Sequence, residues 1–350
     1  MNRLLLLTLA VGAAVASAGD IDAIFAPLAD AKSPGVAVLV RQNGRTTFER
    51  GYGVRDLRTL ARIDTKTGFR LASVTKQFTA MAIMLLVHDG KLHYDQGLTE
   101  IFPDFPAYGG AITIRHLLTH TSGLPDYEDL MRGDTWTAER QIQDNEVLEL
   151  LKRQAGGKFA PGTSWAYRNS GYVVLGSIVA KASGEPFGQF LRDRVFQPLH
   201  MMRTLVYIKG KNTVPNRAYG HTKEGGRLVE TDQSATSATL GDGGIYSNLE
   251  DLAKWDRALE SHALLSEVEM LPALTPVEVA QKKEPASYGF GWFLDPFEGR
   301  PRMWHTGSTM GFRTVVERFT ADKLTFVVLC NRTDLDPEKL ALQTSRALTR

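Results

Sequence analysis

The chain has 350 residues, 43% of them hydrophobic and 23% charged, with a formal net charge of +2 at pH 7. That length and composition suit one large globular domain or two lobes sharing a site. The near-neutral balance, with like charges scattered rather than in blocks, excludes the basic patch a nucleic-acid binder needs.

The chain begins with the pattern of a secretory signal peptide. Arg3 is followed by an apolar run, Leu4 to Val15, and then by the small-residue segment Ala16-Ser17-Ala18. Cleavage after Ala18 is expected, with export to the periplasm or the medium. The run is shorter than the roughly 20 apolar residues a spanning helix requires. No later segment is long and apolar enough to span, so no membrane span is expected once the leader is removed. The one cysteine, Cys330, lies in the apolar run Thr325–Cys330 and reads as a buried structural thiol.

Val36 to Val40 and Thr46 to Arg50 read as strands, joined through Asn43-Gly44 as a hairpin. Helices follow. Val74 to Val87 is apolar on nearly every face and should be buried. Thr113 caps a short helix, and Asp144 another. A helix from Tyr172 to Ala182 stops at Gly184, and Pro186 opens the next. Phe312 to Phe319 and Leu324 to Cys330 form a second hairpin, and a last helix starts near Asp336. The expected fold is therefore α/β (α+β), with an antiparallel sheet built from both termini, packed by helices and carrying an inserted helical lobe. Residues 1–18 are expected to be the leader and 19–350 one domain, in which 19–65 and 275–350 make the sheet lobe and 66–274 the mainly helical one.

Three motifs carry chemistry. Ser73-Val74-Thr75-Lys76 is the only S-x-x-K in the chain. Residues three apart share a helix face, so the lysine reaches the hydroxyl. A serine needs such a base to become a nucleophile, and a charge inside an apolar helix is costly unless used or paired. Tyr167-Arg168-Asn169 comes second. A phenol can relay protons to a leaving group, and an amide can orient a substrate. Tyr246-Ser247-Asn248 has the same spacing but precedes a helix cap and reads as a structural turn. His305-Thr306-Gly307-Ser308 is third. Gly307 is expected to let a substrate approach the backbone closely, and the Ser308 N–H can pair with that of Ser73 as an oxyanion hole. No metal and no cofactor are expected.

In this order the motifs resemble the serine β-lactamase and penicillin-binding-protein superfamily, most closely its class C, D-aminopeptidase and esterase branch. The stretches Phe69–Ser73, Leu117–Leu124, Gly241–Ser247 and Tyr288–Trp292 support the likeness, which covers nearly the whole mature chain. It implies a β-lactamase-like fold with a cleft between sheet and helices. It also implies Ser73 as nucleophile, Lys76 as base and Tyr167 as second proton-transfer group, with Asn169 as the second-motif amide. His305 takes a position that is lysine in true β-lactamases, which weighs against β-lactam turnover. The expected activity is hydrolysis of a small-molecule ester, amide or peptide, D-amino-acid peptides included, through an acyl-enzyme. The competing expectations are a class C-like β-lactamase or DD-peptidase, and a catalytically silent ligand-binding or sensor protein.

Overall fold

A computed structural model of the chain describes residues 18–133, 135–279, 281–282 and 287–348. Apart from Ala18, the expected leader lies outside them. The central sheet is assembled from the two ends of the described chain, as the sequence predicts. Strands β1 (Val36–Gln42) and β2 (Arg45–Tyr52) join β3 (Met303–Thr309), β4 (Phe312–Phe319) and β5 (Leu324–Cys330). The order is β3-β4-β5-β1-β2, with every neighbouring pair antiparallel. Asn43 and Gly44 both have positive φ, 51° and 75°, the backbone a two-residue hairpin needs to follow the strand twist.

Alternation along β1 feeds two cores. Val36, Val38 and Val40 pack with Ile21, Phe25 and Ala341, from helices α1 (Ala18–Phe25) and, at the far end of the chain, Pro337–Leu348. Ala37 and Leu39 point the other way, into the core shared with Phe78, Ile83 and Phe290. Because both faces are covered, all of β5 is buried, Cys330 included, and the strand reads as one apolar run.

Helix α2 (Lys76–His88) runs through the larger core, with every residue from Lys76 to Leu86 buried. It starts later than the apolar run suggests. Ala72–Thr75 forms a 3-10 turn first, so Lys76 heads the α-helix rather than lying in its middle. Thr113 caps α3 (Ile114–Leu118) as expected, accepting the His116 N–H. Asp144 is not a cap. Gln143 takes that place, and the Asp144 carboxylate instead accepts the Leu240 N–H at 3.0 Å. Helix α4 (Asn169–Ser183) begins one turn earlier than predicted because Asp126 Oδ2 accepts the Asn169 N–H at 2.9 Å. Gly184, at φ 80°, then ends it.

Candidate active site

Ser73 sits on a turn whose backbone is tightly constrained. Ala72, just before it, has φ 50°, a left-handed conformation that costs a non-glycine residue of order 1 kcal/mol and persists only when its surroundings impose it. The constraints are visible on both sides. The Leu71 N–H donates to the Ile245 carbonyl at 2.8 Å, and the Leu71 carbonyl accepts the Thr314 hydroxyl at 2.8 Å. Strand β3 closes on the same carbonyl. A Cβ on Gly307 would lie 2.1 Å from the Leu71 oxygen and 2.2 Å from Thr314 Oγ1. What the bare Gly307 admits here is the turn bearing Ser73.

Lys76 Nζ contacts three oxygens: Ser73 Oγ at 3.1 Å, Asn169 Oδ1 at 2.9 Å and the Asp242 carbonyl at 3.0 Å. The side chain is fully buried. As an ammonium it satisfies all three with its three N–H bonds. As a neutral amine it can give two N–H bonds to the Asn169 and Asp242 oxygens and turn its lone pair to the Ser73 hydroxyl. Asn169 is itself oriented, because its Nδ2 donates to Glu128 Oε1 at 3.1 Å.

Ser73, Asn169 and Ser308 line one cavity of about 320 Å³, together with Arg70, Glu128 and Asp242 among others. Burial, then the neighbouring Asp126, pushes the Glu128 carboxyl above its usual value. Burial likewise raises that of Asp242, against the opposing charge of Lys76, and Asp242 Oδ1 has no partner among the described residues. Arg70 is already engaged, with Ser237 and the Gly243 carbonyl. A larger cavity of about 850 Å³, between Leu259, Met270, Leu294 and Met303, holds none of the candidate residues.

Tyr167 stands beside Lys76, whose Nζ lies 5.0 Å from its ring centre. Its ring contacts are His120 at 4.3 Å, His305 at 6.0 Å, Phe293 at 6.3 Å and Tyr288 at 6.4 Å. The second Tyr-x-Asn copy is separate. Tyr246 lies in the strand Ile245–Ser247, with its hydroxyl bonded by Arg217 at 3.0 Å, and Asn248 caps the helix Leu249–Glu260.

His305 is almost fully buried in β3. Its Nδ1 donates to the Thr306 carbonyl at 2.6 Å, so Nε2 accepts the Tyr288 hydroxyl at 3.1 Å. Both nitrogens are thus occupied within the protein. Burial, then the charge of Lys76, pushes the imidazole down to about 3. At neutral pH His305 is therefore uncharged and supplies no fixed positive charge. Ser308 lies on the edge strand of the sheet. Thr309 pairs with Phe312 across a two-residue turn, and Gly307 with Thr314. Bonded pairs alternate along an antiparallel ladder, so Ser308, between them, turns its N–H away from β4 to the open edge.

His116 and His120 do not share a helix face. Helix α3 ends at Leu118, and His120 follows with φ 58°. His116 Nδ1 instead accepts the Thr113 N–H at 3.1 Å. Sequence reasoning left His120, Tyr288, Glu128 and Asp242 without roles. The first, second and fourth fall in stretches that support the family likeness, but nothing in their spacing ties them to Ser73 or Lys76.

An antiparallel sheet closed by both chain ends, with S-x-x-K on a strained turn beneath its edge strand, defines the class of serine hydrolases that includes β-lactamases and penicillin-binding proteins. The chain belongs to the Beta-lactamase family, whose model matches residues 21–350. It is 32% identical to penicillin-binding protein 4* of Bacillus subtilis (strain 168), over 84% of this chain and 67% of that protein. It is 26% identical to a D-aminopeptidase of Gluconobacter oxydans (strain 621H), over 85% of this chain and 56% of that protein, so it spans little more than half the length of that relative. In three dimensions it matches D-amino acid amidase from Ochrobactrum anthropi SV3, solved with D-phenylalanine. The TM-score is 0.74 at 25% identity, covering 94% of this chain and 98% of the other.

Proposed function

We propose that this protein is an exported serine hydrolase that cleaves small aminoacyl amides or esters, those of D-amino acids included, through an acyl-enzyme on Ser73. The observation that carries the reading is the Lys76 amine, 3.1 Å from Ser73 Oγ with two non-reacting acceptors beside it. Neutral Lys76 takes the Ser73 proton as Oγ attacks the carbonyl carbon. The N–H groups of Ser73 and Ser308 receive the oxyanion, a contribution typically worth about 3 kcal/mol per donor. Tyr167 gives its proton to the departing amine or alkoxide as the bond to the carbonyl carbon breaks, and takes one back from Lys76, leaving an ester on Ser73 and a neutral Lys76 amine. Water then attacks the ester carbon and gives its proton to Lys76 and Tyr167; the bond to Ser73 Oγ breaks, that oxygen recovers the proton, and the acid is released.

The cavity wall supports this substrate class. Glu128 and Asp242 are carboxyls raised by burial, and their ionised forms gain from a cation. A substrate ammonium supplies one. His305, neutral and bonded on both nitrogens, offers no anchor for the carboxylate of a β-lactam. The D-aminopeptidase and D-amino acid amidase likenesses support the same choice. The apolar leader from Leu4 to Val15, followed by Ala16-Ser17-Ala18, supports export.

Likeness to penicillin-binding protein 4* favours a second reading, a penicillin-recognising peptidase. One panel decides between them: the 4-nitroanilides of D- and L-phenylalanine, their N-acetylated forms, 4-nitrophenyl acetate and a chromogenic cephalosporin. The expected result is turnover of the free-amine D-anilide, loss of at least about tenfold in kcat/KM on acetylation, and negligible cephalosporin turnover. Preference for the cephalosporin, or indifference to the amine, overturns the aminoacyl reading.

A further inference from the structure

His120 is buried, polar and outside every step described above. Three contacts tie it to Tyr167. Its carbonyl accepts the Ala166 N–H at 3.0 Å, and its Nδ1 accepts the Arg168 N–H at 3.3 Å, so the residues on either side of Tyr167 hang from this one histidine. Its ring also packs against the Tyr167 ring at 4.3 Å between centres, inclined by 36°. Tyr172 and Tyr288 enclose its other sides at 5.1 Å and 4.7 Å.

The arrangement is costly for a space-filling residue. His120 has φ 58°, a left-handed conformation that few residues other than glycine adopt, histidine being with asparagine among those that enter it more readily. Because Nδ1 accepts, the ring proton is on Nε2, and that N–H has no partner among the described residues. A phenylalanine would fill the space without an orphaned donor, but would leave the Arg168 N–H without its acceptor. Burial, then Lys76 and His305, keeps the imidazole well below its ordinary value and hence neutral, so Nδ1 remains an acceptor.

We propose that His120 is the positioning residue of Tyr167, holding the phenol in register with Lys76 through the backbone on either side and through its ring face. The inference rests on the proton-transfer role of Tyr167 proposed above. A group that acts on the phenol's placement affects the step in which Tyr167 takes part, and leaves ground-state binding alone.

The test is a double-mutant cycle read on the 4-nitroanilide of D-phenylalanine, whose nitrogen must gain a proton to leave, with the thermal midpoint of every variant recorded. His120→Phe keeps the ring contact and removes the acceptor. Its kcat is expected to fall about tenfold or more with KM within about twofold. In a Tyr167→Phe background the same change should cost less than about twofold, because the residue it positions no longer acts. His120→Asn, which keeps an acceptor and tolerates the positive φ, should retain at least about a third of the wild-type kcat. Full additivity in the cycle, or equal losses in the Phe and Asn variants, overturns the proposal. If His120→Phe does not fold, the Asn variant decides: folded protein with kcat below about a tenth of wild type contradicts it. Wild-type kcat in Tyr167→Phe alone would instead remove the role of Tyr167, and the inference with it.

Discussion

Lys76 Nζ lies 3.1 Å from Ser73 Oγ and is held there by Asn169 Oδ1 and the Asp242 carbonyl, two oxygens that do not react. Among the described residues the amine is thereby fixed by neutral oxygens, with no carboxylate in direct contact with it. Removing it leaves two acceptors unpaired in a buried site, each costing about 1–3 kcal/mol.

Lys76→Met is therefore expected to fold with a lowered denaturation midpoint and to lose about 10³-fold or more in kcat. Urea denaturation and steady-state ester hydrolysis check the two halves. A variant with near-normal kcat means that another group serves as the base.

Tyr167 and Tyr246 share a local sequence pattern and differ in place. Tyr167→Phe is expected to lower kcat by about 10²-fold or more. Tyr246→Phe removes the hydroxyl bonded by Arg217, so it should lower stability by about 1 kcal/mol and leave kcat within about twofold. Equal losses of kcat would assign the motif to the wrong copy.

His305 gives a prediction about pH. Its folded-state value, about 3, lies below the value of about 6.5 in the unfolded chain. As pH falls through 6.5 the unfolded chain binds the proton first, so this contribution is complete above about 6.5. It is lost progressively down to about 3, at up to about 1.4 kcal/mol per pH unit. In His305→Gln that loss is absent. The stability difference between wild type and variant should shrink in the variant's favour by roughly 1–2 kcal/mol between pH 7 and pH 5. His120, buried neutral in both proteins, cancels. A difference that stays constant across urea titrations at pH 7, 6 and 5 contradicts the assignment of a neutral imidazole.

Gly307→Ala places a methyl carbon against the Leu71 carbonyl and Thr314 Oγ1, neither of which has room to give. The expected cost is about 1–3 kcal/mol in stability. Because the displaced turn carries Ser73, acylation should also slow by about tenfold or more. Measured acylation at the wild-type rate in this variant would separate the turn from strand β3.

The frame of the molecule was legible because its signals are local. β4 and β5 have the predicted bounds, since each is an apolar run closed by a polar turn at Thr320–Lys323. The Asn43-Gly44 hairpin and the cap at Thr113 are local in the same way. The sequence suggests a cap at Asp144 because its actual partner, the Leu240 N–H, is 96 residues away. It starts α4 too late for the same reason, since Asp126 lies outside the segment it completes. In the site, Ser73 and Lys76 announce themselves by spacing. The second oxygen on Lys76 is the main-chain carbonyl of Asp242, which no side-chain pattern can reveal. The motif marks His305 as a site residue. Its neutrality needed the Thr306 carbonyl, the Tyr288 hydroxyl and the depth of burial, all products of the fold.

The central claim is that Ser73, activated by Lys76, becomes the acylated residue, and covalent trapping tests it most directly. Wild type and Lys76→Met are treated with a fluorophosphonate probe at neutral pH, digested, and mapped by tandem mass spectrometry. The account predicts one adduct, on Ser73, in the wild type and labelling slower by about 10³-fold or more in the variant. An adduct on any other serine, or labelling of Lys76→Met at the wild-type rate, contradicts it.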